Sequence, residues 1–346
     1  LSFLLPFFDE WPKEFETSPA KSINQGLEFF IINFGSQIDY LKQLAFFFVM
    51  LPTKIGLQNS VSPYTWGFQI TLLHSLIYFV FMLLFSLWSF FRFGTNLAVS
   101  IILFSIFLYF GLTNMPWPSL LLIYGLIAFK IGGIKLSIGT LLGLSFIITT
   151  GVLPQALLSI YLCGIAIFIS FLLGTSLGIW AAHNDRVSTF MRPINDTMQT
   201  MPSFVILIPF VMLFKIGEFT ALLAIIAYAF VPAMRYSEHG LRNLPKSVIE
   251  AATMIGCSKS QLLWNVKIPL ALPVMMLGLN QTIMYGLAML VIAALVGTTG
   301  LGQTIYIGLS KASFGMGMIA GLGIAIIAMI SDRMTQAWRI KLENKM

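Results

Sequence analysis

Polar side chains are scarce in this chain, and where they gather they could hold a solute rather than break a bond. Two clusters lie inside apolar stretches. One is Asp196, Thr197, Gln199 and Thr200, followed by Met201-Pro202 and Pro209; the other is Asn280, Gln281, Thr282 and Tyr285. Amide and hydroxyl groups in such places are costly unless they face protein or water. A proline adds to this, because it frees backbone groups that then need a polar cavity. Gln199, Thr200, Pro202, Asn280, Gln281 and Tyr285 are therefore candidates to line a solute pathway. Their amide and hydroxyl groups could instead join helices through hydrogen bonds, and Asp196 suits an N-cap at a helix start.

Covalent chemistry has few candidates. His74, His183 and His239 are scattered without ligand spacing, Cys163 stands in an apolar stretch and Cys257 in a basic loop. We expect no catalytic residue, no metal site and no disulfide. Asp185, Arg186, Arg192 and Asp196 are the only charged group dense enough for an interfacial enzyme, and they look like a solvated loop. There is no GxxxxGK[ST] run, so ATP binding through a P-loop is not expected in this chain.

The elements that carry these residues are set by hydropathy. Of 346 residues 58% are hydrophobic and 10% charged, against about 25% charged in soluble domains. Residues 55–91, 93–129, 136–182, 268–310 and 312–331 hold no Asp, Glu, Lys or Arg. About 20 apolar residues cross a bilayer as a helix. Spans are predicted near 66–91, 97–112, 117–129, 136–152, 156–182, 197–214, 219–234, 269–296 and 315–331. The fold class is all-α: a polytopic membrane protein of about eight or nine transmembrane helices. Residues 1–8 are too short for the apolar region of a secretory leader with its flanks. Residues 1–60 form an arm that is extracytoplasmic or interfacial, with Ile23, Leu27, Phe30, Ile31 and Phe34 at helical spacing. Residues 61–152 are peripheral spans, 153–335 a core that includes a loop at 235–267, and 336–346 a tail.

The net charge of +7 does not point to nucleic acid, because the basic residues sit in short loops between spans. Placing the loops after residues 91, 129, 182 and 234 on one side, with the tail, collects 14 of the 20 Lys and Arg residues there. Basic loops stay in the cytoplasm. The N-terminus is therefore expected outside and the C-terminus in the cytoplasm.

The loop at 235–267 is the longest on the basic side. Pro245 suits a first helical turn and Gly256 the position past a helix end. Between them Val248, Ile249, Ala252 and Ile255 fall on one face. Such a helix could lie on the membrane surface or dock a cytosolic partner.

Glu250-Ala251-Ala252, three residues, Gly256, nine residues and Val266-Lys267-Ile268-Pro269 resemble the EAA loop of permeases from ATP-binding-cassette (ABC) importers. Val and Ile stand where the usual Ile-x-Leu-Pro ending has Ile and Leu. The resemblance runs over residues 174–338, to permeases of the glycine betaine/proline betaine type. It is carried by Gly178-Ile179-Trp180-Ala181, by 196–205 from Asp196 to Val205, and by 211–217 from Val211 to Gly217. Gly278-Leu279-Asn280-Gln281-Thr282, Gly300-Leu301-Gly302-Gln303 and 332–337 from Asp332 to Ala337 also carry it.

This resemblance implies a five-helix permease core in a bacterial inner membrane, for betaine-like quaternary ammonium or N-oxide osmolytes such as glycine betaine, proline betaine, choline or trimethylamine N-oxide. It implies coupling to an ATPase through Arg242, Pro245, Glu250, Ala251, Ala252, Gly256 and Pro269. The partners implied are a cytosolic ATP-binding subunit that holds ATP and Mg, an extracytoplasmic substrate-binding protein, and a second permease copy in a homodimer. No cofactor is implied in the chain itself. The alternatives are an ion-coupled carrier acting alone, which should show paired ionisable residues in mid-membrane, or an ABC permease for an amino acid or a sulfonate.

Overall fold

A membrane interior offers no water to backbone N–H and C=O groups, so apolar runs of this length must satisfy them within their own turns. The computed structural model describes residues 19–61, 72–93 and 117–344, with isolated positions between 95 and 102, and these are helical with short connections. In chain order they form α1 (Pro19–Ala45), a π-helical turn (Phe46–Met50), α2 (Leu51–Val61), α3 (Leu72–Phe93) and α4 (Trp117–Thr149). There follow α5 (Leu153–His183), α6 (Asp185–Thr200), α7 (Ser203–Phe214), α8 (Glu218–Arg242) and α9 (Lys246–Met254). Last come α10 (Ile268–Ala293), α11 (Leu301–Ser310) and α12 (Phe314–Glu343).

Among the described residues Leu153–His183, Glu218–Arg242, Lys259–Val296 and Phe314–Glu343 are long and apolar enough to cross a membrane; Leu121–Thr149 matches them in length and composition but is broken at Gly133. The pair α6 and α7, bent by 105°, could supply another span. The predicted span at 66–91 corresponds to α3. The one at 97–112 lies almost wholly outside the described residues.

The helix α4 is two legs rather than one rod. Gly133 has φ 77° and ψ −167°, a conformation only glycine adopts at low cost. On the far side of it the Ser137 hydroxyl donates to the Gly125 carbonyl at 2.9 Å. Twelve residues along an unbroken helix would separate them by about 18 Å. The chain therefore folds back at Gly133, with Lys130 and Lys135 at the tip, as the two separate spans at 117–129 and 136–152 predict. Lys341 of α12 ties the tip down by donating to the Lys130 carbonyl at 3.0 Å.

Small residues bring the central helices together. A Cβ on Gly174 of α5 would lie 2.5 Å from the Phe230 carbonyl oxygen of α8, and one on Gly178 2.5 Å from that of Met234. Helices in a bilayer associate through such close packing. Around this pair Leu162, Ala166, Leu207, Ala221, Ile225 and Leu290 form the main core.

Three predicted boundaries are corrected. The span at 197–214 is two helices: α6 starts at 185, capped by the Asn184 side chain, which accepts from the Arg186 N–H at 3.0 Å. Asp196 is accordingly near the end of a helix and is not an N-cap. The charged residues 185–196 are helical rather than a loop. Next, α8 runs two turns past the predicted 234, because Arg235, Glu238 and Arg242 find partners on the helix surface. Finally, the stretch between the predicted spans at 269–296 and 315–331 is not merely a connection. Gly297 (φ 80°) and Gly300 (φ 115°) turn the chain, and α11 then begins with the Leu301 N–H donating to Ser159 Oγ at 2.8 Å.

The N-terminal arm is joined to this core. Met50 is fully buried within it. Lys42 donates to the Phe214 carbonyl at 3.1 Å, and Lys54 to Glu218 Oε1 at 2.5 Å. These contacts sit at the start of α8, about 37 Å of helix from its end at α9.

Candidate functional site

The last turns of α8 carry Pro232, Arg235, Tyr236 and His239. Offsets of three, four and seven residues put them on one helix face. Opposite, α10 presents Gln281 and Tyr285 one turn apart, and α6 contributes Gln199. These seven side chains line a cavity of about 460 Å³, within the range of small-molecule sites. Arg235, the cation of the wall, is paired with Asp196 of α6, which does not itself line the cavity. The Tyr285 ring lies 5.0 Å from that of Tyr228, tilted by 30°.

The wall thus offers amides, phenols, a guanidinium and an imidazole. It holds neither a nucleophile with its base nor, among the described residues, a group of His, Cys, Asp and Glu able to hold a metal. Such a surface can bind and release a small polar molecule.

The remaining pathway candidates lie elsewhere. Asn280 is buried and faces α12: its amide nitrogen donates to Asp332 Oδ1 at 2.7 Å, and its oxygen accepts from Thr335 Oγ1 at 2.8 Å. Gln336 donates to the same Asp332 oxygen at 2.7 Å. Thr200 bonds back to the Asp196 carbonyl at 2.9 Å. Pro202 stands at the 105° bend and is not part of the cavity wall.

At the end of α8 a separate feature begins. Arg242 binds Asp185 of α6 at 2.8 Å, Glu238 at 2.9 Å and the Ala181 carbonyl of α5 at 2.7 Å. It fastens three helix ends just before the chain leaves the bundle. Pro245 is the N-cap of α9 rather than a residue of its first turn. Gly256, with φ 88°, ends the helix, and the Cys257 N–H returns to the Ala252 carbonyl at 3.3 Å. A capping box between Ser258 and Gln261 then starts the approach to α10, whose first turn contains Pro269.

Only Ala252 of α9 is buried. Ala251 and Glu250 are exposed, and Glu250 has no side-chain partner among the described residues. Met254 is 89% exposed and Ile255 83%. The sequence places Ile255 on the face of Ala252; here Ala252 is buried, whereas Ile255, just past the helix end at Met254, is exposed. The helix therefore projects a small, partly apolar surface that carries Lys246 and Glu250 from the end of the bundle.

Several residues of these sites were not predicted. Arg235, Tyr236 and His239 were assigned to a loop, yet their spacing with Pro232 already marks one helical face. Asp332 and Thr335 lie in a run that carries the resemblance, but nothing in the sequence joins them to Asn280, since only packing brings α12 there. Glu218 stands just before the predicted span at 219–234 and drew no expectation. It accepts from Lys54, from Tyr161 Oη at 2.9 Å and from Thr299 Oγ1 at 2.8 Å.

Geometry thus defines a class: a multi-pass helical membrane protein with a polar cavity beside its central helices and an exposed helix at one end. Residues 174–337 match the family described as binding-protein-dependent transport system inner membrane component. The chain is 35% identical to the glycine betaine transport system permease protein OpuAB of Bacillus subtilis, over 68% of this chain and 83% of that one. It is 39% identical to the glycine betaine/proline betaine transport system permease protein ProW of Escherichia coli, over 65% of this chain and 64% of that one. It is 44% identical to the trimethylamine N-oxide transport system permease protein TmoV of Pelagibacter ubique, over 53% of this chain. The chain belongs to the family of binding-protein-dependent inner membrane components. It spans under two thirds of the ProW relative and 26% of the length of the TmoV relative.

Proposed function

We propose that this chain is the permease subunit of an ABC importer for betaine-like osmolytes. The observation that carries this is the exposed α9, with Glu250-Ala251-Ala252 on a helix held out from the bundle. A cytosolic ATPase subunit would dock there, bind ATP and Mg, and drive the membrane helices; the permease itself would have no ATPase activity. Pro245 and Gly256 delimit the docking helix, Glu250, Ala251 and Ala252 form its body, and Arg242 and Pro269 link it to α8 and α10.

In this reading α9 and the C-terminus face the cytoplasm and the N-terminal arm lies outside, which the excess of Lys and Arg in the loops of one side supports. A substrate-binding protein would deliver the solute on that outer side. The cavity of Gln199, Arg235, Gln281 and Tyr285 would be half of a pathway completed by a second copy of the chain.

Betaines are zwitterions or dipoles with a methylated cationic centre. Tyrosine faces attract such a centre, and Arg235 can receive a carboxylate or N-oxide oxygen. The names of the relatives, which cover glycine betaine and trimethylamine N-oxide, support the same solute class.

The test is uptake into vesicles holding this chain, its ATPase and its binding protein, offered a panel of betaines, choline, trimethylamine N-oxide, amino acids and sulfonates. Accumulation of a methylated-ammonium or N-oxide solute is expected. Accumulation of only amino acids or sulfonates would refute the solute class.

A further inference from the structure

A second cavity, of about 550 Å³, lies away from the pathway, between the second leg of α4 and α12. Its floor is apolar: Leu136, Ile326, Met329 and Ile330 face it. Gly139 leaves it open, since a Cβ there would meet nothing within 4 Å. From Lys135 to Gly143 the groove follows α4 for about 12 Å. Thr140, the hydroxyl in its wall, is already bonded to the Leu136 carbonyl at 2.9 Å.

One end of the groove is basic. Lys135 and Arg333 are both exposed, both line it, and neither has an ion pair or hydrogen bond among the described residues. No carboxylate lines it. The nearby Asp332 does not line it and is engaged by Asn280 and by Gln336, a residue of the groove wall. Long basic side chains at a helix end reach the headgroup layer of a bilayer.

We propose that this groove is a binding site for an anionic phospholipid, with its phosphate between Lys135 and Arg333 and an acyl chain along Gly139 and Met329. Basic pockets between membrane helices hold anionic headgroups. Two cations without a carboxylate favour a lipid of net negative charge over a zwitterionic one, whose ammonium group would meet them. The site is independent of the solute pathway.

The experiment is native mass spectrometry of the full chain, extracted from vesicles of equal phosphatidylglycerol and phosphatidylcholine with matched acyl chains. The native chain is expected to retain phosphatidylglycerol in preference. Each basic residue near a membrane surface strengthens anionic attraction about fivefold, so Lys135→Ala with Arg333→Ala should cut that preference roughly 30-fold. Gly139→Phe keeps both charges, fills the groove, and should remove the retained lipid too.

Equal retention of both lipids by the native chain would overturn the proposal. So would phosphatidylglycerol unchanged in Gly139→Phe, which would mean surface charge alone. Loss of a second protein copy from Gly139→Phe, with lipid unchanged, would give the groove to another chain instead.

Discussion

The Lys54 ammonium lies 2.5 Å from a Glu218 carboxylate oxygen, although 164 residues separate them in sequence. Both side chains are mostly covered, at 23% and 14% exposure. Tyr161 and Thr299 complete the hydrogen bonding of the carboxylate. The N-terminal arm, α5, α8 and the turn before α11 therefore meet on one acidic group. Its place at the first residue of α8 also suits the positive end of the helix dipole.

Lys54→Ala should leave that carboxylate without its counter-charge and cost about 3 kcal/mol. Adding Glu218→Gln should recover much of the loss. Thermal unfolding of Lys54→Ala, Glu218→Gln and the double variant in detergent gives the coupling directly. Strictly additive losses would mean the pair does not hold the arm.

The two polar clusters should separate in function. Tyr285→Ala removes an aromatic face from the cavity and should raise the apparent KM for a methylated-ammonium solute roughly fivefold. Thr335→Val, beside Asn280, should lower stability by about 0.6 kcal/mol, the average for a hydrogen bond between membrane helices, and leave KM unchanged. Solute titrations on both variants, with unfolding curves, distinguish cavity wall from helix glue. A KM shift confined to Thr335→Val would reverse the assignment.

That division marks what the sequence could and could not convey. The charge-free stretches state the helices well, because a bilayer imposes one solution on them. Gln199, Gln281 and Tyr285 were legible as polar exceptions in apolar surroundings. Asn280 has the same signature but bonds to Asp332, which is far away in sequence and visible only once α12 is packed. The ends of α6 and α8 were misplaced for a common reason. Charged residues there read as loop, whereas on the helix surface Arg235 meets Asp196 and Arg242 meets Asp185 and Glu238. The cap at Asn184 was the local clue to α6.

Close approach of α5 and α8 predicts a sharp packing effect. Gly174→Ala would drive a methyl group against the Phe230 carbonyl, with the Ala233 side chain at 2.7 Å and little to yield. A loss of about 1–3 kcal/mol is expected. Gly139→Ala, which meets nothing, should be neutral in the same unfolding assay.

Surface variants of α9 should act on coupling alone. Glu250→Lys and Met254→Ser change side chains exposed to solvent, so surface expression and unfolding should be unaltered. Solute-stimulated ATP hydrolysis by the assembled complex should fall sharply in Glu250→Lys. Wild-type coupling in both variants would place the docking surface elsewhere.

The most direct measurement is solute uptake by the reconstituted complex with ATP supplied or withheld, and with proton and sodium gradients imposed or collapsed. The account predicts accumulation that requires ATP and the binding protein and ignores both gradients. Accumulation by the permease alone, driven by an ion gradient without ATP, would contradict it and make the chain a carrier.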